Sequence, residues 1–80
     1  MAQFKTILYT RTGCHLCEVA RQVLIQHGLY PQEVDVDTDP ELKARYDWHV
    51  PVVTIDGRER FFGRVDPVLL RRLLAGAEPA

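Results

Sequence analysis

The sequence predicts an α/β domain of order β-α-β-α-β-β-α, with a four-stranded mixed sheet and helices on both faces. Three observations carry that prediction. Short β-branched and aromatic runs alternate with stretches of helical periodicity. Two Asp-Pro pairs, Asp39-Pro40 and Asp66-Pro67, join an N-cap to a proline at the first helical position. Asp56-Gly57 lies between two strand-like runs, where it signals a two-residue hairpin turn. A chain of 80 residues has room for one core of this kind, so residues 1–80 are read as a single domain.

The elements follow in order. Phe4-Lys5-Thr6-Ile7-Leu8-Tyr9 forms the first strand, and Thr10 to Gly13 breaks it as a loop would. From Cys14 onward, Leu16, Val19, Ala20, Val23 and Leu24 recur at helical spacing, and Gly28 after His27 supplies the stop. Glu33 to Asp37 alternates with period two, as a short strand with one wet side does. Asp39-Pro40 opens a second helix that continues from Leu42 to Tyr46. Val50 to Ile55 and Arg58 to Phe62 are the arms of the hairpin. Asp66-Pro67 opens a last helix whose apolar stripe is Val68, Leu69, Leu70, Leu73 and Leu74, with Gly76 closing it. The leucines of this helix and the stripe of the first are expected in the core, and Gly76 to Ala80 are expected to fray.

Composition narrows the function classes. Apolar residues make up 46% and charged residues 26%, a mix that folds. A formal net charge of −1 argues against nucleic acid and anionic membrane as partners, because both demand a basic surplus. No apolar run approaches the roughly 18 residues of a spanning helix. Met1 to Thr6 leads into a strand without the charged and apolar regions of a secretory signal. A cytoplasmic monomer is therefore expected.

The two cysteines lie in one segment, Cys14-His15-Leu16-Cys17. A bridge across two intervening residues closes too small a loop to restrain the unfolded chain much, so the pair suits chemistry better than stapling. In helical geometry residues three apart have Cα atoms roughly 5 to 6 Å apart, within reach of a disulfide. Cys14, in the first turn, meets unpaired N–H groups and the positive end of the helix dipole, which favour a thiolate. Cys14 is thus the expected nucleophile and Cys17 the resolving thiol. Arg11 and a protonated His15 would add positive charge beside them. A complete zinc site wants four ligands and the chain has no second Cys pair, so no metal site is expected. A dimeric metal site joined by His15 is the lesser reading.

With this element order, Leu8-Tyr9-Thr10-Arg11-Thr12-Gly13-Cys14-His15-Leu16-Cys17, Val50-Pro51 and Phe62-Gly63-Arg64-Val65-Asp66 together resemble the glutaredoxin branch of the thioredoxin superfamily, in particular its very short members. The resemblance implies a thioredoxin fold and a thiol-disulfide oxidoreductase acting on protein or glutathione mixed disulfides. It implies no bound cofactor, with glutathione as co-substrate. Regeneration would come from glutathione or from a thioredoxin-reductase-type flavoenzyme; a metal or iron-sulfur module is the remaining class. It also implies a cis Pro51 facing the active site, with the Val50 backbone pairing to substrate, and glutathione contacts at Arg11, Gly63 and Asp66.

Plainer roles stand beside these. Arg11 reads equally as a solvated loop charge, Asp66 as an N-cap, and His27 as a helix-end residue. Trp48 and His49 either line a substrate groove or pack against the sheet, and Arg58, Glu59 and Arg60 read as the solvated side of the hairpin. The chain departs from the commonest family pattern in carrying His15 and Leu16 inside the CxxC, His49 two places before Pro51, and a single Gly63 followed by Arg64.

Overall fold

A computed structural model describes residues 4–76. The chain runs β1 (Thr6–Thr10), α1 (His15–Gln26), β2 (Gln32–Asp35), a 3-10 turn (Val36–Thr38), α2 (Pro40–Tyr46), β3 (Val52–Ile55), β4 (Arg58–Phe62) and α3 (Pro67–Leu74). The sheet order is β2-β1-β3-β4, with β1 parallel to β2 and antiparallel to β3, and β3 antiparallel to β4. This is the predicted mixed sheet of thioredoxin type, with α1 as the crossover between its parallel strands. The pairing gathers the ends of β1, β2 and β4 and the start of β3 at one end of the sheet.

The predicted caps form. Asp39 Oδ1 accepts from the Glu41 and Leu42 N–H groups at 2.9 and 3.4 Å, and Asp66 Oδ1 accepts from Val68 and Leu69 at the same two distances. Asp56 and Gly57 both take positive φ, 53° and 84°, as a hairpin turn of this type requires. Gly28, at φ 83°, ends α1, and the Leu29 N–H behind it donates to Leu24 O at 2.9 Å.

Three strands differ from expectation, the first being β1, which begins at Thr6, not Phe4, and takes in Thr10. β2 ends at Asp35, not Asp37. The Asp35 side chain accepts from the Asp37 N–H at 2.9 Å and its carbonyl accepts from the Thr38 hydroxyl at 2.7 Å, so local bonds divert the chain into a 3-10 turn. β3 begins at Val52, not Val50, because Pro51 brings no N–H to the ladder; the Val50–Pro51 peptide is cis.

The core has two layers. On one face Leu8, Val53, Ile55 and Phe61 pack with Ala20 and Leu24 of α1 and Leu70 of α3. On the other, Val52 packs with Val36 and Tyr46, and the Tyr9 and Tyr46 rings lie 4.9 Å apart. Between Val53↔Phe61 and Thr54↔Glu59 the register slips, leaving Arg60 as a bulge. Phe61 can therefore serve the first layer while Glu59, two residues earlier, accepts the Tyr46 hydroxyl on the second. The Arg58 to Arg60 run is accordingly more than a solvated hairpin edge: Glu59 is bonded to Tyr46 and Arg60 is half-buried.

Helical periodicity overstated the core. Leu16 is 54% exposed, and Val19, Val68 and Leu69 are exposed as well, because the sheet covers a narrower stripe than the apolar face spans. The expected fraying falls largely on residues outside those described; of that segment Gly76 is described, and its N–H donates to Leu73 O at 3.1 Å. Among the described residues no helix is long and apolar enough to cross a membrane.

Candidate active site

The loop after β1 is built to present Cys14. Gly13 takes φ 77°, a turn open to glycine, and the Cys14 N–H then donates to Arg11 O at 3.2 Å. Cys14 is the N-cap of α1 with extended backbone, so its side chain occupies the place of a capping oxygen. Its sulfur accepts from the Cys17 N–H at 3.1 Å. Cys14 and Cys17 are joined as a disulfide with Cα atoms 5.2 Å apart. Cys14 is partly exposed, whereas Cys17 is 3% exposed. The partly exposed cysteine is the one at the helix N-terminus, and the one inside the first turn is buried.

Two depressions lie beside α1, and the first of them has both cysteines in its wall. A cleft of about 340 Å³ includes Cys14, Cys17, Arg11, Glu18, Arg21 and Glu33 in its wall. A groove of about 590 Å³ is lined by Leu16, Val19 and Val23 of α1 and by Gly63, Arg64 and Pro67 ahead of and within α3. The first is charged and the second largely apolar.

Arg11 is engaged by two carboxylates from distant parts of the chain. Its Nε and Nη2 donate to the two oxygens of Asp37 at 2.9 Å each, as a fork. Nη2 also donates to Asp47 Oδ1 at 2.6 Å, and Nη1 to the Asp47 carbonyl at 3.1 Å. These bonds hold the Asp37 carboxyl below its ordinary range and raise Arg11 further above its own. Arg11 is thus neither a simple solvated charge nor an open cation. Asp37 and Asp47 were missed in the sequence because their partner is 26 and 36 positions away, and no local pattern marks such a pair.

The remaining site residues converge on the same end of the sheet. Pro51 is buried behind its cis bond, and its carbonyl accepts from the Gly63 N–H at 2.8 Å, which ties the loop before β3 to the loop after β4. Val50 is partly buried against the second core layer. Gly63 also lines the apolar groove with Leu16, so the CxxC helix and the loop after β4 share that wall. Asp66 caps α3 and is exposed. His15 is exposed on the first turn of α1.

Trp48 is 90% exposed, which removes the reading in which it packs on the sheet, while His49 sets its ring edge-on to Phe62 at 5.9 Å. His27 lies at the end of α1, with Nδ1 donating to Val23 O at 2.8 Å. Among the described residues no group of three or more His, Cys, Asp or Glu is placed to hold a metal ion.

The chain has relatives that match it over most of its length. The chain is 34% identical over 84 residues to the uncharacterized proteins Mb0520 of Mycobacterium bovis and Rv0508 of Mycobacterium tuberculosis strain H37Rv, covering 94% of this chain and 87% of each relative. The X-ray structure of the Northeast Structural Genomics target protein XcR50 from X. campestris superposes with a TM-score of 0.78 at 36% identity, over 92% of this chain and 99% of that one. The solution structure of the same target gives a TM-score of 0.76 at 35% identity, over 95% and 99%. The family model described as Glutaredoxin-like domain (DUF836) matches residues 5–75. That match runs from the first strand into the last helix and takes in both cysteines, and on that footing the chain belongs to the glutaredoxin-like domain family.

Proposed function

We propose that this protein is a thiol-disulfide oxidoreductase that reduces protein or glutathione mixed disulfides, with Cys14 attacking and Cys17 resolving. The observation that carries the reading is the asymmetry of the pair: Cys14 is partly exposed and its Sγ accepts a backbone N–H at 3.1 Å, while Cys17 is buried. A donor already aimed at the sulfur stabilises the thiolate that exchange requires.

In the reduced protein the Cys14 thiolate attacks one sulfur of a substrate disulfide. A Cys14–substrate disulfide forms, and the other substrate sulfur leaves as a thiolate that takes a proton from water. Cys17 then loses its proton and attacks the Cys14 sulfur, expelling the second substrate thiolate and closing the Cys14–Cys17 disulfide. Two electrons pass from the dithiol to the substrate. Two glutathione thiols return them, becoming glutathione disulfide.

A second reading within the same chemistry is reduction by a thioredoxin-reductase-type flavoenzyme, and the capture of Arg11 by Asp37 and Asp47 favours it. Either route suits a monomer in a reducing cytoplasm. Backbone at Val50 and Gly63, the cap Asp66, and His15 are the proposed substrate contacts around the two cysteines.

The test is reduction of a glutathione mixed disulfide with NADPH, glutathione and glutathione reductase, and in parallel reduction of a protein disulfide with NADPH and thioredoxin reductase. Turnover in either system is expected and identifies the reductant. Silence in both, with a protein whose two thiols titrate, overturns the proposal.

A further inference from the structure

We infer that Asp37 and Asp47 set the substrate class of this site: by holding Arg11 they withhold its guanidinium from small anionic thiols such as glutathione and turn the site toward disulfides carried on proteins. The inference rests on the thiol-exchange reading above and deepens it.

The donor count is the first argument. A guanidinium has five N–H groups, and recognition of a carboxylate by arginine uses two of them as a parallel fork. In this structure four hydrogen bonds leave Arg11: two to Asp37, one to the Asp47 carboxylate and one to the Asp47 carbonyl. One N–H remains, on Nη1, and a fork needs two. Arg11 therefore cannot offer a paired grip to an incoming carboxylate without releasing one of its aspartates.

Charge is the second argument. Glutathione carries two carboxylates and one ammonium group. The cleft beside Cys14 adds Glu18, Glu33 and Asp35 to the two aspartates on Arg11, against Arg21 as the other cation of its wall. An anion approaching Cys14 from this side meets a surplus of like charge.

The opposite side of the CxxC supplies the third argument. Leu16 and Val19 are 54% and 43% exposed along the groove that also contains Gly63 and Pro67. Apolar side chains on either side of a protein's disulfide would be desolvated there, which glutathione has too little apolar surface to exploit.

The clamp also reaches the reacting sulfur through the backbone, since Arg11 O accepts the Cys14 N–H. Removing the aspartates therefore perturbs every substrate to some degree, and the ratio between substrates isolates selectivity. Protein reduced beforehand and freed of reductant is mixed with excess glutathione disulfide or with insulin, and the two second-order rate constants are measured. In Asp37→Ala/Asp47→Ala the glutathione-disulfide rate should rise about tenfold relative to the insulin rate, the gain expected from one new charge-assisted contact. Adding Arg11→Met to that variant should abolish the gain. Arg11→Lys alone, which keeps the positive charge but not the fork, should change both rates in parallel.

An unchanged ratio in the double variant overturns the inference, and so does a selective loss of glutathione-disulfide reduction in Arg11→Lys alone, which would make the Arg11 fork a ligand already. If the double variant fails to fold, the single variants and Arg11→Lys decide by the same criteria. Wild-type protein that reduces neither substrate overturns the thiol-exchange reading itself, a failure distinct from an unmoved ratio.

Discussion

The Cys17 N–H donates to Cys14 Sγ across 3.1 Å, so the second cysteine of the motif polarises the first through its backbone. No side chain needs to titrate for this contact to act. In the reduced protein Cys14 should therefore react with iodoacetamide with a midpoint below the roughly 8.5 of an ordinary thiol. Alkylation rate against pH, with the modified residue located by mass spectrometry, checks this. A midpoint at or above the ordinary value, or modification of Cys17 first, would reverse the assignment.

The same asymmetry separates the two serine variants. Cys14→Ser should lose exchange with every disulfide. Cys17→Ser should accumulate a mixed disulfide on Cys14 and keep some monothiol reduction of glutathione mixed disulfides, because glutathione itself can resolve that intermediate. Intact mass and turnover of both variants decide the matter.

Asp37 makes a prediction in acid. Its hydrogen bonds to Arg11 lower its pKa in the folded state, so the stability it contributes is complete above the ordinary value near 3.9 and is lost as pH falls toward the folded one. Urea midpoints should fall more steeply below about pH 4 in the wild type than in Asp37→Asn. Parallel acid limbs would show that the pairing does not persist in solution.

Tyr46 makes the opposite prediction in base. Burial, and then its bond to Glu59, push the phenol from 10.0 up to about 12. A raised folded value means the contribution is complete below pH 10.0 and lost as pH climbs to about 12. Across that window the stability of wild type relative to Tyr46→Phe should fall by roughly 2 kcal/mol. Denaturation midpoints of the two proteins at several alkaline pH values test it.

Leu69 and Leu70 are neighbours with different prospects. Leu70 is fully buried and Leu69 is 51% exposed. Leu70→Ala should cost about 2 to 5 kcal/mol and Leu69→Ala well under half of that. Thermal or urea unfolding of both distinguishes a solvated Leu69 from one that is covered.

This pair also shows where the sequence was legible. Asp39-Pro40, Asp66-Pro67, Asp56-Gly57 and the CxxC at a helix start are local signals whose physics is complete within a few residues, and the structure contains each of them. Periodicity identified the helices yet could not say how wide a stripe the sheet would cover, so Leu16, Val19 and Leu69 were assigned to the core along with Ala20, Leu24 and Leu70. The Asp35 side chain captured the chain two residues early, where alternation alone predicted a continuing strand. Asp37 and Asp47 lay beyond sequence reading because their meaning depends on Arg11, which only folding brings to them.

The sheet has a working end and an idle one. Cys14, Pro51 and Gly63 follow or precede strands at one end, while the hairpin turn at the other is fastened to Lys5, whose N–H and carbonyl pair with Asp56 at 2.8 Å each. Arg58, exposed beside that turn, is thus a natural handle: a fluorophore or surface tether attached there would leave the mouth of the disulfide open to partners of any size.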